Sequence, residues 1–161
     1  MPLTRTRGYA HHVDLDVPVA LVWEALTQVP TIVRWYADRA IVEPRVGGRY
    51  FVERKDRGAR DAQIDVFDPN RRLRLVYLKS PGSPPSDSAL VDDFLLDTKG
   101  NATVLRILGS GIPDTKEWDP IYARLRLGWP ILFRQLRQML TEGREPPART
   151  PAMKMDVRRT R

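Results

Sequence analysis

The stretch from Asp119 to Thr141 constrains the fold more than any other part of the chain. Tyr122, Leu125, Trp129, Leu132, Phe133, Leu136, Met139 and Leu140 recur at helical spacing on one face, while Arg124, Arg134, Arg137 and Gln138 occupy the rest. Asp119 is placed to cap this helix, Pro120 suits its first turn, and Gly143 is placed to end it. Nearly everything before it reads as short strands. One long amphipathic helix cannot bury its stripe alone. A sheet bent around it supplies the missing surface and can enclose a pocket.

The strands are read from alternation and from turn residues. Tyr9, His11, Val13, Leu15 and Val17 share one face of a first strand, with His12, Asp14 and Asp16 on the other. Pro18 fits the start of a helix running to about Gln28 on Val19, Val22, Trp23 and Leu26. Pro30 is expected to interrupt it, and Thr31 to cap a second short helix that carries Ile32 and Trp35. Segments 40–44 and 49–54 form a hairpin around Val46-Gly47-Gly48, where glycine supplies a positive φ. Segments 60–67 and 73–78 form a second around Asp68-Pro69-Asn70, and 89–97 with 102–108 form a third around Thr98 to Asn101. Between them, Lys79 to Ser88 holds three prolines and no large apolar side chain, which predicts a mobile loop.

Size and charge narrow the class. At 161 residues and 42% hydrophobic composition, the chain suits one domain with its own core. The absence of cysteine excludes disulfides, thiolate metal sites and cysteine nucleophiles. Residues 144–161 carry six basic side chains against two acidic ones, and Arg5 and Arg7 add two more charges. The net +7 therefore leaves about +1 for residues 8–143. The charge belongs to the ends, and a tail without aromatic residues gives nucleic-acid bases nothing to stack on. No stretch approaches the ~20 apolar residues of a membrane span, and the first residues lack the apolar core of a signal peptide. A cytoplasmic protein is expected, with residues 1–8 as an arm, 9–143 as the domain and 144–161 as a disordered basic tail.

Certain residues together resemble a known family. They are Val17-Pro18, the run Val22 to Thr27, Trp35, Gly47-Gly48-Arg49-Tyr50, Ile64 with Phe67-Asp68-Pro69, Arg72-Leu73 and Gly128-Trp129. Their order resembles the START-like helix-grip (SRPBCC) superfamily, in the branch named after the C-terminal domain of the activator of the heat-shock chaperone ATPase. The resemblance covers about residues 9–142. It implies an α+β fold: a curved antiparallel sheet of six or seven strands around a long C-terminal helix, with two short helices after the first strand. Two features depart from the family pattern. Pro130 removes a backbone donor inside the last helix and predicts a kink. Asp92-Asp93 places a carboxylate pair in a strand. One of them is a candidate to point inward, and the alternation otherwise sets one in solvent and the other against a partner such as Arg106.

The helix-grip arrangement gathers Trp35, Tyr50, Tyr77, Phe94, Trp118, Tyr122 and Trp129 around the space between sheet and final helix, with His11 on the apolar face of the first strand. They are the candidate ligand-binding residues, set against the alternative of a filled core. His11 and His12 are adjacent and face opposite sides, so they cannot share a metal. Gly109-Ser110-Gly111 is too short for a nucleophile elbow and reads as a loop, and no phosphate-binding glycine motif occurs. Neither cofactor nor metal is expected.

The first expectation is a non-enzymatic domain that holds a small hydrophobic molecule. The second, implied by the resemblance, is a co-chaperone-like surface that stimulates a chaperone ATPase. The third is a cyclase or hydratase-like enzyme of the same superfamily, with His11 or Asp93 as acid or base. Val76, Leu78, Leu95 and Leu108 suggest an outer sheet face apolar enough for a homodimer.

Overall fold

The computed structural model describes residues 4–141. Gly143 and the basic segment 144–161 lie outside the described residues. The chain forms β1 (Thr6–Leu15), α1 (Val19–Thr27), α2 (Val29–Trp35), β2 (Arg39–Val42), β3 (Arg49–Arg54), β4 (Gly58–Asp68), β5 (Arg72–Tyr77), β6 (Val91–Lys99), β7 (Ala102–Pro113) and α3 (Asp119–Thr141). A short 3-10 turn, Lys116–Trp118, leads into α3.

The seven strands make one antiparallel sheet in the order β1-β7-β6-β5-β4-β3-β2. Alternation turns one face of the sheet inward, built from Leu73 and Leu75, Phe94 and Leu96, Leu105 and Ile107, and Ala62 and Ile64. α3 lies along β1 and packs against α1 and α2. Its buried residues, Trp129, Leu132, Phe133, Leu136 and Met139, are the apolar stripe seen in the sequence. This is the expected α+β helix-grip arrangement, a sheet around one long C-terminal helix.

Several local expectations change. Pro18 is the extended residue before α1 instead of its first helical residue. Pro30 does not interrupt a helix: Gln28 ends α1 and begins α2, so Pro30 falls in the first turn of α2, where a missing N–H costs nothing. Thr31 is inside that helix and caps nothing. Asp119 is the first residue of α3 rather than its cap. At Pro130, α3 continues without a break to Thr141. β1 begins at Thr6, so Arg7 and Gly8 belong to the sheet and not to an arm.

Gly109-Ser110-Gly111 is part of β7 and not a loop: Gly109 pairs with Tyr9 of β1 and Asp92 of β6, and Ser110 pairs with Val91 of β6. A Cβ on Gly109 would sit 2.1 Å from the Tyr9 ring, which lies across that position. Only glycine leaves room for the ring there. Among the described residues no helix is long and apolar enough to cross a membrane.

Candidate functional site

The interior has a sealed end and an open end. At the sealed end, the last carbonyls of α1 have no helical partner. Trp35 Nε1 donates to the Ala25 carbonyl at 2.9 Å, and Tyr50 Oη donates to the Leu26 carbonyl at 2.7 Å. Both residues are essentially inaccessible to solvent. Burial raises the Tyr50 pKa well above its ordinary value, with nearby Tyr36 and Asp92 adding to it. From here rings continue across the core: Trp35 stacks on Tyr36, Tyr36 meets Trp129 at 5.4 Å, and Trp129 meets Phe94 edge-on at 5.5 Å.

Beyond Trp129 lies a polar cluster on Asp92, which is 1% exposed. Its carboxylate accepts from Tyr9 Oη, from Tyr77 Oη at 2.9 Å and from Arg60 Nη1 at 3.2 Å. The Arg60 guanidinium also lies over the Tyr77 ring at 3.8 Å. Burial, followed by the negative charge of Asp92, pushes the Tyr9 hydroxyl far above its ordinary pKa. Burial likewise raises Tyr77. Burial opposes the charge on Arg60, but Tyr77, Asp92, Tyr36 and Tyr9 together outweigh it and its pKa stands above the usual arginine value. The cluster sets one guanidinium and two phenol hydroxyls around one buried carboxyl group.

Asp93 points to the opposite face, where Arg72 grips it through two hydrogen bonds at 3.0 and 2.8 Å. Arg106 pairs with Asp97 instead. The expected Asp93–Arg106 or Asp92–Arg106 pairing is thus replaced. The pleat sends Asp92 inward to Arg60, and Arg72 reaches Asp93 from the neighbouring strand.

His11 has a specific partner. Pro130 has no N–H, which leaves the Arg126 carbonyl, four residues earlier, without its helical donor. His11 Nε2 lies 2.8 Å from that carbonyl. A carbonyl only accepts, so Nε2 carries the hydrogen. The histidine occupies the place that the proline vacates.

The open end is a cleft of about 380 Å³ between the edge of β3 and β4, the 79–90 loop and α3. Trp118, Trp129, Leu125 and Leu132 form its apolar floor, and Arg54, Arg57, Arg60 and Arg124 reach into its lining. An adjoining cavity of about 400 Å³ continues under the 79–90 loop past Tyr77 and Trp118. That loop is pinned: Trp118 Nε1 donates to the Pro85 carbonyl at 3.2 Å, and Ser88 Oγ donates to the Gly111 carbonyl at 2.7 Å.

The candidate aromatics thus divide. Trp118 and Trp129 line the cleft and Tyr77 the adjoining cavity. Trp35, Tyr50 and Phe94 lie in the closed core, and Tyr122 donates to the Gly8 carbonyl at 2.8 Å beneath the Arg7 guanidinium. His11 is engaged by α3. The four arginines and Tyr36 are among the lining residues that sequence reasoning missed. A signal for two of them was present: Arg54 shares strand parity with Tyr50 and Val52, and Arg60 with Ala62 and Ile64, so both belong to inward-facing rows.

Fold and cleft together define a START-like helix-grip domain. The chain belongs to the activator of Hsp90 ATPase homolog 1-like family, whose sequence model matches residues 16–141. No curated protein matches the chain in sequence. Among solved structures it is similar to protein MLL2253 from Mesorhizobium loti, with 26% identity and a TM-score of 0.74, covering 84% of this chain and 98% of that one. It is also similar to the Aha1 dimer from Colwellia psychrerythraea, with 19% identity and a TM-score of 0.71 over 85% and 98%. CalU16 from Micromonospora echinospora shares 19% identity and a TM-score of 0.66 over 89% and 87%. The last two likenesses are of fold.

Proposed function

We propose that this domain binds a small molecule with an apolar body in the cleft between its sheet, the 79–90 loop and α3. The observation that carries this reading is the cleft itself, about 380 Å³ with an indole floor and a polar rim, a size and makeup usual for small-molecule sites. Binding, rather than chemistry, fits the positions of the candidate acid-base groups: Asp93 is held by Arg72 on the outer face, and His11 is held by the Arg126 carbonyl.

The neutral fluorophore phenylnaphthylamine tests the reading. Its emission should rise on mixing with the protein, and Leu125→Trp, which fills the cleft, should abolish the rise while leaving the circular dichroism spectrum unchanged. Absence of any uptake by the unsubstituted protein removes the proposal.

Family membership favours a second reading, contact with a chaperone ATPase through the outer surface. A chaperone's hydrolysis rate that stays the same at saturating domain concentration removes it. Self-association belongs to this reading, because the Colwellia relative is a dimer and Leu78 and Leu108 are exposed on the outer side of the sheet here. Sedimentation showing a monomer at every concentration excludes it.

A further inference from the structure

The charge in the cleft is one-sided. Four guanidinium groups contribute to its lining, and none of the lining residues is Asp or Glu. Their engagement differs. Arg60 is committed to buried Asp92 at 3.2 Å. Among the described residues the carboxylate that Arg54 and Arg57 meet is Asp56, at 3.7 and 3.9 Å, and it is largely in solvent. Arg124 has no carboxylate partner among the described residues.

Arg57 and Arg124 both line the cleft on the side of α3. Arg57 comes from the β3–β4 turn, and its Nη1 lies 3.2 Å from where a Cβ on Gly128 would stand. Arg124 is one helical turn before Gly128 on the same side of α3. The missing side chain at Gly128 leaves room for the guanidinium above the indole floor. Several cations lining one cleft repel one another unless an anion lies among them, and apolar walls strengthen that field. Guanidinium groups match carboxylate, sulfonate and phosphate oxygens in a planar fork.

We infer that the ligand of this cleft is an amphipathic anion, with an acidic head between Arg57 and Arg124 over Gly128 and an apolar body on Trp118, Trp129 and Leu132. The inference rests on the binding function proposed above and specifies the ligand's chemistry.

Anilinonaphthalene sulfonate carries the same aromatic skeleton as phenylnaphthylamine plus one negative charge, so the pair isolates the head group. At low salt the sulfonate should bind about tenfold more tightly than the neutral probe, as a charge-assisted hydrogen bond to the head group predicts. The difference should shrink as salt rises. An Arg57→Gln/Arg124→Gln double variant should lose this preference and keep its affinity for the neutral probe, whereas Arg134→Gln should change neither. Equal affinity for the two probes overturns the inference and leaves the binding function standing. A sulfonate preference that survives in the double variant also overturns it, because the head group then lies elsewhere. Uptake of neither probe removes both readings.

Discussion

The sealed and open ends of this interior treat polar atoms in opposite ways. Around α1 three buried side-chain donors each have a named acceptor: Trp35 with Ala25, Tyr50 with Leu26 and Thr27 with Trp23. In the cleft, guanidinium groups outnumber the carboxylates that answer them. Matched atoms close a core, because nothing further is needed there. Unmatched charge at the rim of an apolar floor calls for a partner from outside the chain. Asp92 and Arg60 mark the boundary, a satisfied pair with one side in the core and the other in the cleft.

The most damaging way to break this division is to remove the boundary. Asp92→Ala leaves Arg60 unpaired and two buried hydroxyls without their acceptor, and the expected loss is about 3 kcal/mol of unfolding free energy. Urea unfolding measures it. Asp92→Asn, which keeps shape and one acceptor oxygen, should lose less. Equal and small losses for both would mean that the cluster is not structural.

Alkali probes the same boundary. Tyr9, Tyr50 and Tyr77 have folded pKa values above the ordinary tyrosine value, so the folded state holds protons that the unfolded chain releases. Their contribution is fully present below about pH 10 and is lost as pH rises beyond it. The urea midpoint should therefore hold steady up to that pH and then fall. Tyrosinate absorbance should appear together with unfolding and not before it. A Tyr9→Phe/Tyr77→Phe variant should show a shallower fall.

At the sealed end the effects are smaller and local. Trp35→Phe and Tyr50→Phe each leave a carbonyl of the last α1 turn without its donor, and each should lose about 1–2 kcal/mol. Neither should alter probe binding in the cleft. If either weakens binding as much as it weakens stability, the two ends are one site and the division fails.

How much of this was legible depends on which physical rule governs each residue. The α3 stripe, the hairpins and the inward aromatics follow from periodicity, and the sequence alone shows them. Pro30 is ambiguous in sequence because a proline that breaks one helix can equally start the next, and the position of Gln28 decides between them. Gly109 looked like a loop because its function is to make room for a ring on another strand, a contact separated by the length of the domain. The cleft arginines were passed over for a different reason. A charged side chain at a strand end is usually solvated, and strand parity alone shows that Arg54 and Arg60 lie in inward rows. Arg57 and Arg124 have no such signal, since the approach of Arg57 to Gly128 depends on how the β3–β4 turn faces α3.

The smallest effect gives the sharpest test of how the open end is held in shape. Pro130 orphans the Arg126 carbonyl, and His11 supplies the missing donor. In the natural chain His11→Ala should lose about 0.5–1 kcal/mol, the value of one partly exposed hydrogen bond. Once Pro130→Ala restores a helical N–H to Arg126, the same histidine substitution should lose less than half as much. The four urea midpoints form a double-mutant cycle whose coupling reports this one contact. Additive losses would mean that the imidazole acts through packing alone. A positive coupling would show that the unusual proline and the histidine facing it form one device, in which β1 completes the hydrogen bonding of α3 beside the cleft.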